Sequence, residues 1–243
     1  MATMSKSMAR ASLLLLAILG ATVLLPAWAE DKAPPAPAMK LYRLVLLRKG
    51  PSRSYMDERE IQAKQEAYLA WLKRVHEQGK VVVSGPVERA GDLESVFVLD
   101  AGSGEEAAAI LKDDPWVLAG RVVPEIHPWW ALKDAFGRAS DIARLSACWI
   151  GFLRRPPNAP QLSEEKIEEI QRGHMANIRK MAGTGDLAAA GPLDEDGPLR
   201  GILVFRTDDP EHLKALVAED PAVKIGRLAV ELYRWDVPEG AIP

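Results

Sequence analysis

The chain repeats itself at a constant spacing. The stretch SGPVERAG, from Ser84, returns as AGPLDEDG from Ala190, and DDPWVLAGR, from Asp113, returns as EDPAVKIGR from Glu219. Gly85 and Gly191, Asp114 and Asp220, Gly120 and Gly226, and Trp129 and Trp235 are each separated by 106 positions, with no gap between them. A register kept without insertion over that length marks a duplicated structural unit, so whatever one copy folds into, the other folds into as well.

Within a copy the element types alternate. KLYRLVLLRKG is apolar and β-favouring and stops at Gly50-Pro51, which predicts a strand. Asp57 in one copy and Ser163 in the other can cap the helix that follows, and Glu60 completes a capping box with Asp57. Gly79 and Gly185 stop those helices. KVVVSGP and ESVFVLD read as two strands around a turn at Gly91, followed by a shorter helix from Glu105, a turn at Asp114-Pro115 and a last strand, RVVPEIHPWW.

The order βαββαβ is the ferredoxin-like split βαβ pattern. One such unit is an antiparallel sheet with helices on one face, and its bare face must be buried against something. A second copy in the same chain supplies the cover. The predicted fold class is therefore α+β, with two tandem ferredoxin-like units packed as an intramolecular dimeric α+β barrel. The expected layout is a signal peptide at 1–29, a Pro/Ala-rich tether at 30–39, unit 1 at 40–130, a linker at 131–146, unit 2 at 147–237 and a tail at 238–243.

At HMANIRKM, AAGPLDEDG and EDPAVKIGRLAVELYRW the chain resembles the YciI (YCII-related) family of the dimeric α+β barrel superfamily. The resemblance covers both copies. It implies a pocket for a small, often aromatic or lactone-like molecule, with a His and an Asp proposed as a catalytic dyad. By position these fall on His174 and Asp220, whereas unit 1 keeps Asp114 but has Tyr68 in place of the His. Members are commonly homodimers of one unit, so this chain reads as such a dimer fused in tandem. It is expected to be a monomer acting as a pseudo-dimer, or a homo-oligomer.

The residues themselves leave alternatives open. His174 shares a helix face with Gln171 and Ile178, where it can be a general base near neutral pH oriented by Asp220, or a core His satisfied by backbone. Asp114 and Asp220 precede proline, where Asp commonly caps a turn, and their presence in both copies favours that structural use. Arg154 ends the first strand of unit 2 and is a candidate clamp for an anion; Tyr68 and Trp235 are candidates to contact a ligand.

The N-terminus pairs Lys6 and Arg10 with an apolar run, Ala11 to Leu25, and a small-x-small site at Ala27-Trp28-Ala29. This predicts cleavage after Ala29 and a periplasmic or secreted protein without a stable membrane anchor. Cleavage removes only Lys6 and Arg10, leaving 29 basic and 34 acidic residues, a net charge of −5 that argues against a nucleic-acid partner. The one cysteine, Cys148, cannot form an internal disulfide. His76, His127 and His212 show no metal spacing, so neither a metal nor another cofactor is expected. Two functions follow: cofactor-free isomerase, lyase or hydrolase chemistry at His174, or non-catalytic small-molecule binding in the cell envelope.

Overall fold

The computed structural model describes residues 38–52, 56–139, 141–207 and 209–243. The expected signal peptide and nearly all of the expected tether lie outside the described residues. Unit 1 runs β1 (Met39–Lys49), α1 (Glu58–Glu77), β2 (Val81–Pro86), β3 (Leu93–Leu99), α2 (Gly104–Leu111), α3 (Pro115–Leu118) and β4 (Val122–Leu132). Unit 2 repeats it as β5 (Leu145–Arg154), α4 (Glu164–Gly183), β6 (Leu187–Pro192), β7 (Leu199–Phe205), α5 (Pro210–Ala218), α6 (Pro221–Lys224) and β8 (Ala229–Pro238). The predicted element order holds in both copies. The turn expected at Asp114-Pro115 is a one-turn helix in each, with the Asp at its N-cap.

Local chemistry sets the boundaries. The Asp57 carboxylate accepts from the Glu60 amide at 2.8 Å while the Glu60 side chain accepts from the Asp57 amide, the reciprocal capping box read from the sequence. Gly79 and Gly185 follow the two long helices at φ +71° and +85°, a backbone region that side chains with a Cβ enter only at a cost.

The two sheets are antiparallel and have the orders β2-β3-β1-β4 and β6-β7-β5-β8. Each strand buries both faces, so alternation sorts its residues between two cores. On β1, Leu44 and Leu46 join the inter-sheet core, whereas Val45 and Leu47 pack under the helices of unit 1. On β5, Ile150 and Phe152 face the inter-sheet core and Leu153 the helices of unit 2. Each fully buried aliphatic or aromatic side chain stabilises by about 1.5–3 kcal/mol, so the bare sheet faces are the strongest reason for the units to close on each other.

Closure is made at the sheet edges. Single bridges join Val87 to Trp235 and Trp129 to Leu193, and the Glu88 amide donates to the Arg234 carbonyl at 3.0 Å as the Asp194 amide does to Pro128 at 2.8 Å. The indole of Trp235 donates to the Gly85 carbonyl and that of Trp129 to the Gly191 carbonyl, both at 3.1 Å. A Cβ at Gly85 would stand 1.7 Å from the Asp236 carbonyl oxygen, and one at Gly191 would stand 1.7 Å from that of Trp130. These glycines, which the sequence shows only as landmarks of the repeat, are where one unit's backbone passes against the other's.

Among the described residues no helix is long and apolar enough to cross a membrane. Cys148 lies in the barrel core, where burial, helped by the nearby Asp236 charge, pushes its thiol up to about 12.

Candidate functional site

Each unit has a cavity between its long helix and its sheet, and most of the unit 1 lining has a counterpart 106 positions away in the other. The unit 2 cavity, about 610 Å³, is lined by Gln171, His174, Gly191 and Arg227; the unit 1 cavity, about 490 Å³, by Gln65, Tyr68, Gly85 and Arg121. Each is completed by the other unit. Met39 and Leu132 of unit 1 close the unit 2 cavity, and Leu145 and Pro238 of unit 2 close the other. Neither cavity is complete in an isolated unit.

In unit 2 the tip of α6 meets the middle of α4. Asp220 caps α6 through Oδ1, which accepts from the Ala222 amide at 2.8 Å, and its Oδ2 accepts from His174 Nδ1 at 2.5 Å. Both side chains are nearly enclosed, 12 % exposed for His174 and 6 % for Asp220. Burial alone would push the Asp220 carboxyl up; the hydrogen bond and charge of His174, with the Ala222 and Val223 amides, outweigh it and hold the carboxyl below its ordinary value. Asp220 is therefore ionised near neutral pH, Nδ1 carries the proton, and His174 Nε2 is left without a partner among the described residues.

The approach that makes this contact depends on Gly173. A Cβ there would meet the Pro221 ring at 2.8 Å, so only glycine lets α4 come this close to α6. Unit 1 has Ala67 at the matching position.

There Asp114 also caps its short helix, with Oδ1 accepting from the amides of Trp116 at 2.7 Å and Val117 at 3.4 Å. Its Oδ2 is buried with no hydrogen-bond partner among the described residues, and burial raises the carboxyl's pKa in spite of the two amides. Tyr68 occupies the place of the imidazole without bonding to it. Trp71 and Trp116 stand where unit 2 has Asn177 and Ala222, so aromatic rings fill more of the space under the unit 1 helix.

Charge separates the cavities further. The unit 2 lining includes Arg155, Arg179, Arg200 and Arg227. Among the described residues Arg155, Arg179 and Arg227 make no ion pair, and Arg200 reaches Asp196 only at 3.9 Å. The place of Arg200 is taken in unit 1 by Glu94, which lies 3.8 Å from Lys49. This excess of positive charge sits in a chain of net charge −3.

The sequence-derived candidates fare differently. His174 and Asp220 are in contact and His174 lines the unit 2 cavity, while Tyr68 lines the unit 1 cavity. Two candidates lie elsewhere. Trp235 is fully buried in the inter-sheet core, because it falls on the strand face that packs against the other unit. Arg154 has the strand parity of Phe152 rather than of Leu153, and its Nε donates to Glu231 of β8 at 2.8 Å; the neighbouring Arg155 is the one in the lining. Among the described residues no Phe, Tyr or Trp lines the unit 2 cavity. Sequence reasoning does not single out Gly173, Arg179, Arg200 or Arg227. Aligning the copies at 106 positions sets Gly173 against Ala67 and Arg200 against Glu94, and that contrast is the signal available for finding them.

Fold and geometry together define a dimeric α+β barrel made by one chain, with one His-Asp pair in one of two related cavities. The YCII-related domain matches residues 43–129 and again 154–236, and the chain belongs to that family. No curated protein matches it. Among solved structures it is similar to a haem-binding protein from Thermus thermophilus, at 12% identity and TM-score 0.53 over 84% of this chain and 94% of that one. It is also similar to a mutant chlorite dismutase from Candidatus Nitrospira defluvii, at 10% identity and TM-score 0.54 over 82% of this chain and 92% of that one. Similarity at these identities is one of fold.

Proposed function

We propose that the unit 2 cavity binds a small organic anion and that His174 exchanges a proton with it, the protein being exported after cleavage at Ala29. The observation that carries this reading is a His with Nδ1 committed to a buried carboxylate and Nε2 free, in a cavity whose lining holds arginines without carboxylate partners. Guanidinium groups recognise carboxylates and phosphates by paired hydrogen bonds, and an unspent arginine at a cavity is the strongest sequence-encoded preference for such a group. The cavity's apolar wall, with Met39, Leu132 and Met175, suits the carbon skeleton.

With the anion held, His174 Nε2 takes a proton from the ligand in an isomerisation or elimination, or from a water that attacks the ligand in a hydrolysis. The resulting imidazolium is stabilised by Asp220, and the proton is returned at another atom or to a leaving group. This is the chemistry of an isomerase, lyase or hydrolase that needs no cofactor. The test is a thermal-shift screen of aromatic acids, lactones and phenols on the protein lacking residues 1–29, followed by turnover of any hit. His174→Gln should abolish turnover while leaving binding within a few-fold. Unchanged turnover sinks the catalytic reading and leaves the non-catalytic binding protein.

One observation favours a second reading. A carboxylate-bound Nδ1 with a free Nε2 is also how metal-ligating histidines are held, and a structural neighbour is described as haem-binding. The residues present fit such a group: His174 as the iron ligand and Arg155, Arg179 and Arg227 for acidic side groups. The bound group would supply redox or oxygen chemistry. Titration with haem decides, since a Soret shift lost in His174→Ala supports ligation and no shift supports the acid–base reading. Export is checked separately by N-terminal sequencing of protein recovered from the envelope or medium.

A further inference from the structure

The unit 1 cavity lacks the charge set and the His of its counterpart, yet packing has not filled it. About 490 Å³ remains, within the usual range of small-molecule sites. Two features of its wall are left over from structural accounting. Ser84 is a buried residue that lines the cavity, and its hydroxyl makes no hydrogen bond among the described residues. The Tyr68 phenol also lines it and also has no hydrogen-bond partner among the described residues. Both hydroxyls belong to the cavity wall and are not spent on the protein, so each can exchange a hydrogen bond with a ligand there.

The rest of the wall says what would satisfy them. Leu47, Leu69 and Leu72 are apolar, and the Trp116 ring is held beneath the Arg121 guanidinium at 5.4 Å. Among the described residues Arg121 is the only cation in the lining, spent in part on that ring, and Glu94 opposes it. A carboxylate ligand finds no net positive field here. Burial and the nearby Asp114 keep the Tyr68 phenol protonated, so it is available as a donor.

We propose that this cavity is a second binding site, distinct from that of unit 2, which takes a neutral aromatic molecule carrying a hydroxyl or carbonyl oxygen. The ring packs between the leucines and Trp116, and the oxygen exchanges hydrogen bonds with Tyr68 and Ser84. The duplication has then produced two pockets sorted by ligand charge, one for anions and one for neutral rings. This inference does not depend on catalysis at His174.

The test uses 2-naphthol and 2-naphthoate, which share a ring system and differ in charge, titrated calorimetrically into the full protein. For 2-naphthol the expected result is saturable binding weakened about tenfold or more in Tyr68→Phe/Ser84→Ala and unchanged in His174→Ala. Those changes remove only the two oxygen atoms, and an unaltered thermal midpoint confirms an intact fold. 2-Naphthoate should be indifferent to Tyr68→Phe/Ser84→Ala and weakened about tenfold or more by Arg179→Ala/Arg227→Ala, so failure of the unit 2 reading appears in that arm alone. Absence of 2-naphthol binding, or binding that follows His174 and ignores Tyr68 and Ser84, overturns the proposal.

Discussion

Asp114 and Asp220 occupy one position in two copies of one fold, and their second carboxylate oxygens differ. Both cap a one-turn helix through Oδ1, which explains why the residue persists in each unit. Oδ2 of Asp220 holds His174, whereas Oδ2 of Asp114 is buried and bare among the described residues. The cap is thus the shared, structural use of this aspartate, and the contact with His174 is made in unit 2 alone. A carboxylate present in both copies is evidence for the frame; the residues that differ between copies are evidence for the site.

The frame is symmetric, and the largest expected effects test that symmetry. Gly85→Ala and Gly191→Ala each force a Cβ to 1.7 Å from a backbone oxygen of the other unit. Backbone must move in both, so each should lose about 4 kcal/mol or more, or fail to fold, as measured by urea unfolding. A large loss in one and tolerance of the other breaks the claim that the closures are equivalent.

The next pair separates the aspartates. Asp220→Asn removes the charge that His174 binds and should destabilise by about 1–3 kcal/mol at pH 7. Asp114→Asn keeps the capping oxygen and replaces a bare, desolvated carboxylate oxygen, so it should be neutral or slightly stabilising at the same pH. Their pH dependences have opposite signs. Because the folded Asp220 carboxyl titrates below its ordinary value, its stabilisation is present above that value and is lost as pH falls through the lower folded one. Asp114 titrates above its ordinary value when folded, so it costs stability as pH rises from the ordinary value through the raised one. Unfolding free energies of the two variants against wild type from pH 3 to 7 should therefore diverge in opposite directions, and parallel curves sink the distinction.

Much of this is legible in the sequence. The 106-residue register, the capping box at Asp57 and the alternation of strand types follow from local chemistry, and local chemistry determines element order here. The His174–Asp220 contact is legible only through family resemblance, because no spacing rule links a mid-helix His to a residue 46 positions on. Trp235 and Arg154 lie outside the linings of both cavities because strand parity decides which face a side chain takes. Which face is core and which is cavity depends on the packing of the second unit. The arginines of the unit 2 cavity arrive from α4, β7 and the segments beside β5 and α6, a convergence that a linear reading does not display.

The smallest expected effect on stability is the sharpest test of what holds the unit 2 pair together. Gly173→Ala places a Cβ 2.8 Å from the Pro221 ring, which is tied into α6 and cannot swing aside like a long side chain. Helix α4 must move away by a few tenths of an ångström. The strain is offset by the gain of about 0.5–1 kcal/mol that Ala brings to a helix interior, so the net change in stability should be within about 1 kcal/mol. The pair should respond more than the fold does. Lengthening the His174 Nδ1–Asp220 Oδ2 contact from 2.5 Å removes the main influence holding the Asp220 carboxyl down, so its titration, followed by carboxyl ¹³C NMR, should move up toward the ordinary value. The mirrored change in unit 1, Ala67→Gly, should cost about 1 kcal/mol of helix stability and leave the Asp114 titration alone, because Tyr68 makes no bond to that carboxylate. An unmoved Asp220 titration in Gly173→Ala means the pair is set by side-chain reach alone, and that the glycine is incidental to it.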